Sequence, residues 1–151
     1  MYRKILVPVD GSKASNRGLR EALKLAAESK CQVLLLHVVD EFVMSITPET
    51  VYDASALIDA LKQAGEVVLD KSLATARRAG VNAQTQMVEC IGRRAADVIV
   101  DRAKKWRADL IVIGAHGRRG VRRLVMGSDA EEVVRMSPVP VLLVRESTRT
   151  R

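Results

Sequence analysis

Four runs along the chain are apolar almost without interruption: "KILVPV" from Lys4, "QVLLLHVV" from Gln32, "DLIVIG" from Asp109 and "VPVLLV" from Val139. Continuous apolarity over so few residues predicts strands covered on both faces, as in a parallel sheet. A fifth run, "NAQTQMVE" from Asn82, alternates polar and apolar positions and predicts an edge strand.

Between the runs the period changes to that of a helix. Leu19, Leu23, Ala26 and Ala27 form one face, with Ser12 or Ser15 as candidate N-caps. Val51, Ala54, Leu57, Ile58, Leu61, Ala64 and Val68 mark a long helix that starts near Thr47-Pro48 and stops at Gly80. Ala95, Ala96, Ile99, Val100 and Ala103 give a third helix, and Ala130, Val133 and Val134 a fourth. The order is βαβαβαβαβ. Right-handed crossovers then predict a single-domain α/β fold, an open five-stranded parallel sheet with helices on both faces, for which the Rossmann-like order 3-2-1-4-5 is the expectation. No linker or repeat interrupts it, so one domain spans residues 1–146 and 147–151 read as a disordered tail. The irregular stretch from Asp40 to Thr50 reads as a loop near the ligand face.

Composition changes this picture little. With 151 residues, 48% hydrophobic and 28% charged, the chain can bury one core without metal or disulfide support. Its net charge of +7 suits a polyanionic partner, but one Phe, two Tyr and one Trp cannot build a base-stacking platform, and nucleic acid is disfavoured as the main ligand. Cys31 and Cys90 form no CxxC pair, which points to a reducing, cytoplasmic setting. No signal-peptide core or membrane span is apparent.

In a sheet of this order, ligands settle beyond the carboxyl ends of the first and fourth strands, where the strand order reverses. The sequence puts Asp10 at the first of these ends. At the second it puts "VIGAHGRRGVRRLVMGSDAEE", from Val112, with Gly114, Gly117, Gly120 and Gly127 and the arginines Arg118, Arg119, Arg122 and Arg123. Glycines admit phosphate oxygens to backbone N–H groups, and a helix starting at Ser128 adds a partial positive charge. Phosphate binding is the chemistry this loop suits. Neither GxxxxGK[ST] nor an early GxGxxG is present, which argues against P-loop ATPases and NAD dehydrogenases.

Gly114-x2-Gly117-x9-Gly127-Ser128, taken with "ILVPVDGS", "LLLHVV", "ADLIVIGAHGRRG", "LVMGSDAEEVVR" and "PVPVLLVR", resembles the ATP-binding branch of the universal stress protein family over nearly the whole chain. The resemblance implies that Pro8, Val9 and Asp10 line the ribose and adenine side and that Val38 meets adenine through its backbone. It also implies that Gly114, Gly117, Gly127 and Ser128 hold ribose and phosphates, and Arg118 adds charge beside them. Asp129 suits the helix N-terminus or a Mg2+ ion on the phosphates. ATP is the expected ligand, with AMP or ADP as alternatives, and pairing into a homodimer through the last strand is expected as well.

His37, inside an apolar run, reads as a hydrogen-bonded structural residue; His116 lies in the loop without a neighbouring nucleophile. No Ser-His-Asp set, carboxylate pair or metal-ligand spacing stands out, so the sequence points to a regulator or sensor in stress adaptation with slow ATP hydrolysis at most. The alternative is a nucleotide-independent module whose arginine-rich loop docks an acidic protein or nucleic acid.

Overall fold

In the computed structural model of the chain, the described residues are 1–40, 54–116 and 126–145. They form nine elements: β1 (Lys4–Pro8), α1 (Lys13–Ser29), β2 (Gln32–Asp40), α2 (Ala54–Arg78), β3 (Ala83–Cys90), α3 (Ala95–Trp106), β4 (Leu110–Gly114), α4 (Ser128–Met136) and β5 (Val141–Val144). The five strands are parallel, in the order β3-β2-β1-β4-β5. This is the order the sequence predicts, with "NAQTQMVE" and "VPVLLV" at the two edges.

A chain that keeps one crossover hand must change face when it reverses direction along the sheet. The core divides accordingly. Leu19, Ala22, Leu23 and Ala26 of α1 and Leu69 and Ala76 of α2 pack with Ile5, Val7, Val33 and Leu35 on one face. Ala96, Ile99 and Ala103 of α3 and Ala130 and Val133 of α4 pack with Leu6, Leu34, Leu36 and Ile111 on the other. Neighbouring residues of β1 thus enter opposite cores, which is why its sequence shows no polar alternation. Val134 departs from the expected face of α4 and is exposed.

The helix ends have identifiable causes. Ser12 caps α1, its hydroxyl accepting from the Ser15 N–H at 3.1 Å. The start of α2 expected near Thr47-Pro48 lies outside the described residues, as do most of the stretch from Asp40 to Thr50 and the tail. At the opposite ends, α1 and α3 close on Lys30 (φ 52°) and Arg107 (φ 57°), both left-handed. Glycine is usual there because a Cβ costs about 1–2 kcal/mol in that conformation. No sequence signal announces these two residues.

The start of the chain is held by an aspartate. Asp109, just before β4, accepts from the backbone N–H of Arg3 at 2.7 Å and of Lys4 at 2.9 Å, and these bonds hold its carboxyl below the usual carboxylate range.

Candidate functional site

The strand order reverses between β1 and β4, and the two strands part early: their paired residues are Ile5 with Leu110 and Leu6 with Ile111. Beyond them β1 ends at Pro8, two residues before the sequence placed its end, and Asp10 lies in the turn that follows.

That turn is built by short-range hydrogen bonds. The Asp10 carboxylate accepts from the Ser12 N–H at 2.8 Å, and the Asp10 N–H donates to the Ser15 hydroxyl at 3.1 Å. Gly11, at φ 81°, supplies the left-handed residue between them. Asp10 therefore stabilises the entry to α1 whatever else it does. Ser15 does more than the N-cap part its sequence position suggests: buried, it accepts from the Asp10 N–H and donates its own N–H to the Ser12 hydroxyl, tying the turn to the helix. The spacing Asp10, Ser12, Ser15 was the available signal, since oxygens at those offsets are what a helix entry uses.

Val9 is fixed on both sides. Its N–H donates to the Leu36 carbonyl at 2.8 Å, and its carbonyl meets His37 Nδ1 at 2.7 Å. A carbonyl only accepts, so Nδ1 carries the hydrogen. His37 is buried and has the structural part expected of it. The far side of its ring rests on Gly65 of α2, where a Cβ would come within 2.5 Å of Cδ2.

The register also determines which backbone groups of β2 face the gap. Gln32 donates to Arg3 of the β1 side and Val33 to Asn82 of the β3 side, so even-numbered residues of β2 point toward β1. Leu36 is the partner of Pro8, the last residue of β1. The N–H and C=O of Val38 thus lie on the β1 side, beyond the point where β1 has ended. This donor and acceptor pair edges the crevice.

On the other side, β4 ends at Gly114 and is followed by buried Ala115, whose carbonyl accepts from the Gly127 N–H at 2.7 Å. That bond brings the start of α4 to the end of β4 and closes the base of the intervening segment. Gly117, Arg118 and the rest of residues 117–125 lie outside the described residues. Gly127 is the N-cap of α4, with an ordinary φ of −58°, and Ser128 and Asp129 begin the helix, both exposed. The hydroxyl at position 128 is one residue inside the helix and not at its cap. Asp129 and Glu131 put two carboxylates in the first turn, favourable to the helix dipole and unfavourable to a second anion.

Gly114 has a cause other than ligand approach. A Cβ there would lie 2.5 Å from the carbonyl carbon and oxygen of Ala14, and a Cβ on Gly18 of α1 would in turn lie 3.1 Å from the Gly114 nitrogen. Among the described residues no three His, Cys, Asp or Glu side chains gather as a metal site, and no helix is long and apolar enough to cross a membrane.

A profile of the Universal stress protein family matches residues 1–145. Universal stress protein MJ0531 of Methanocaldococcus jannaschii is 34% identical over 150 residues, 97% of this chain and 84% of that protein. A solved universal stress family protein from Burkholderia pseudomallei is 35% identical with a TM-score of 0.77, covering 95% of this chain and 96% of its own. The universal stress protein of Archaeoglobus fulgidus solved in complex with dAMP shares the fold, at 24% identity and a TM-score of 0.69 over 94% of this chain and 97% of that one. By its sequence, its strand order and these likenesses, the chain belongs to the universal stress protein family.

Proposed function

We propose that the protein is a nucleotide-binding regulator or sensor in stress adaptation and that ATP occupies the crevice between β1 and β4. The observation that carries this reading is the bond from Gly127 to Ala115, which brings the N-terminus of α4 to the strand end where the sheet reverses. Unpaired N–H groups in a helix's first turn suit phosphate. Across the gap, the N–H and C=O of Val38 match the acceptor and donor on the Watson–Crick edge of adenine. Asp10, beside Pro8 and Val9, accepts from ribose hydroxyls in addition to its bond from Ser12, since a carboxylate has about four acceptor sites. Gly114, Gly117, Gly127, Ser128 and Arg118 surround ribose and phosphates. That the fold-related Archaeoglobus fulgidus protein was solved in complex with dAMP supports a nucleotide as the class of ligand.

The carboxylates of α4 temper the phosphate end. Asp129 beside Ser128 favours a Mg2+-neutralised triphosphate, or the smaller charge of AMP or ADP, over free ATP. The reading is that of a nucleotide binder with slow hydrolysis at most, as the sequence suggests by offering no Ser-His-Asp set or carboxylate pair. A cytoplasmic protein with two buried free thiols suits this role. A homodimer forms through β5, an edge strand whose Leu142 is 40% exposed, and a monomeric mass by light scattering at tens of micromolar would contradict that.

Equilibrium titration with ATP, with and without Mg2+, tests the proposal. Saturation below millimolar nucleotide is the expected result, and none at millimolar nucleotide rejects it. Persistent polyanion binding that ATP leaves untouched would favour the interaction-module reading.

A further inference from the structure

The opposite end of the sheet, where the strands begin, carries an ordered line of positive charge. Backbone hydrogen bonds give the order: Val33 donates to Asn82, Gln32 to Arg3, and Asp109 to Lys4, so the entries to β3, β2, β1 and β4 lie side by side. Arg77 and Arg78 close α2 ahead of β3, Lys30 precedes β2, Arg3 precedes β1, and Lys104 and Arg107 precede β4. All six are exposed, and among the described residues none of the six forms an ion pair with a carboxylate. Three inter-strand steps make the line about 14 Å long.

Acidic groups at this end do little to neutralise the line. Asp109 is turned onto the N–H groups of Arg3 and Lys4, Asp101 is paired with Lys105 at 2.8 Å, and Glu28 is the remaining carboxylate near the end of α1. Lys4 is excluded from the line because its ammonium donates to the Trp106 carbonyl at 3.2 Å and lies over that ring.

Cations at helix C-termini complement the helix dipole, which accounts for some basic residues at these positions. At Lys30 and Arg107, the C-caps of α1 and α3, that gain does not offset what a Cβ costs in the left-handed conformation both hold. At both sites a cation stands where backbone geometry alone favours glycine.

We propose that this line is a docking surface for the phosphodiester backbone of a nucleic-acid duplex, contacted without reading its bases. A linear array of cations matches a linear polyanion better than a compact phosphate, and the scarcity of aromatic residues removes base stacking but not backbone contact. The surface lies at the end of the sheet opposite the proposed nucleotide crevice, so the inference goes beyond that reading and stands without it.

The test is fluorescence anisotropy of a labelled DNA duplex of about 25 base pairs at several salt concentrations, with the unchanged protein and with the double variant Lys30→Gly, Arg107→Gly. The expected results are duplex binding that saturating ATP does not displace, and a log–log salt slope that falls in magnitude by about 2 in the variant. Affinity should fall at least tenfold at low salt while the thermal midpoint stays equal or rises, because glycine relieves both left-handed residues. No duplex binding, an unchanged salt slope in the variant, or displacement by ATP overturns the proposal. So does preferential binding of polyglutamate, which would assign the line to an acidic protein segment.

Discussion

Gly114 at the end of β4 lies directly beneath Ala14 in the first turn of α1: a Cβ on Gly114 would come within 2.5 Å of the Ala14 carbonyl oxygen. Backbone, not a side-chain tip, occupies that space, so the neighbour cannot swing aside. Gly114→Ala is expected to destabilise the fold by about 1–3 kcal/mol, the usual cost of overpacking. Urea denaturation measures it. Unchanged stability with lost nucleotide affinity would mean that the glycine serves the ligand alone.

Gly65 and His37 make a second close pair, 2.5 Å from a would-be Cβ to Cδ2. The ring cannot rotate away without losing its bond to the Val9 carbonyl. Gly65→Ala should cost about 1–3 kcal/mol, and most of that should vanish in a His37→Ala background. A double-mutant cycle by denaturant unfolding reads the coupling. Additive losses would place the strain elsewhere.

Asp109 links stability to pH. Its folded-state carboxyl titrates below the unfolded value because two backbone N–H groups bond the charged form. A depressed carboxylate contributes stability above the unfolded value, about pH 3.9, and that contribution is lost as pH falls through the folded value. Asp109→Asn should therefore lower the thermal midpoint near neutrality, with the difference from the unchanged protein narrowing in acid. A difference that is constant from neutral pH down to pH 3 would contradict this origin.

Both cysteines should be slow to react. Burial pushes the thiols of Cys31 and Cys90 up, with Asp109 and Asp40 respectively adding to the effect, and Cys31 also donates to the Tyr2 carbonyl at 2.9 Å. Iodoacetamide at pH 8 should modify the folded protein far more slowly than the urea-unfolded chain. Equal rates would show that the thiols are open.

The strands were legible because each is buried on both faces, so Ile5, Leu6 and Val7 had to be apolar in succession. Alternation of elements and a fixed crossover hand give a parallel sheet but leave its strand order open; the reversal was an expectation that the pairing of β1 with both β2 and β4 bears out. What the sequence concealed depends on contacts between distant segments. Gly114 read as part of a phosphate loop because its one-dimensional neighbours are glycines and arginines, whereas its tightest neighbour is Ala14, a hundred residues earlier. Asp109 looked like the polar start of a strand, and its hold on Arg3 and Lys4 appears only when β1 and β4 are paired. Lys30 and Arg107 gave no sign because left-handed termini ordinarily announce themselves as glycine. Of the candidate site, the positions along the strands were legible: Val9 and Asp10 follow the end of β1, Gly114 ends β4, and Gly127 is tied to the residue after it. The detail that Ser128 follows the cap was not.

The central claim, that phosphates sit at the start of α4, is tested most directly by comparing ATP and adenosine affinities in Ser128→Ala. Removing a hydroxyl that bonds a charged phosphate should cost about 1.5–3 kcal/mol, a roughly ten- to hundredfold weaker affinity for ATP. Adenosine, which lacks phosphates, should bind as before. Stability should change little, because Gly127 and not Ser128 is the cap. A selective loss for ATP is the result the account predicts; an equal loss for both ligands, or none for ATP, would contradict it.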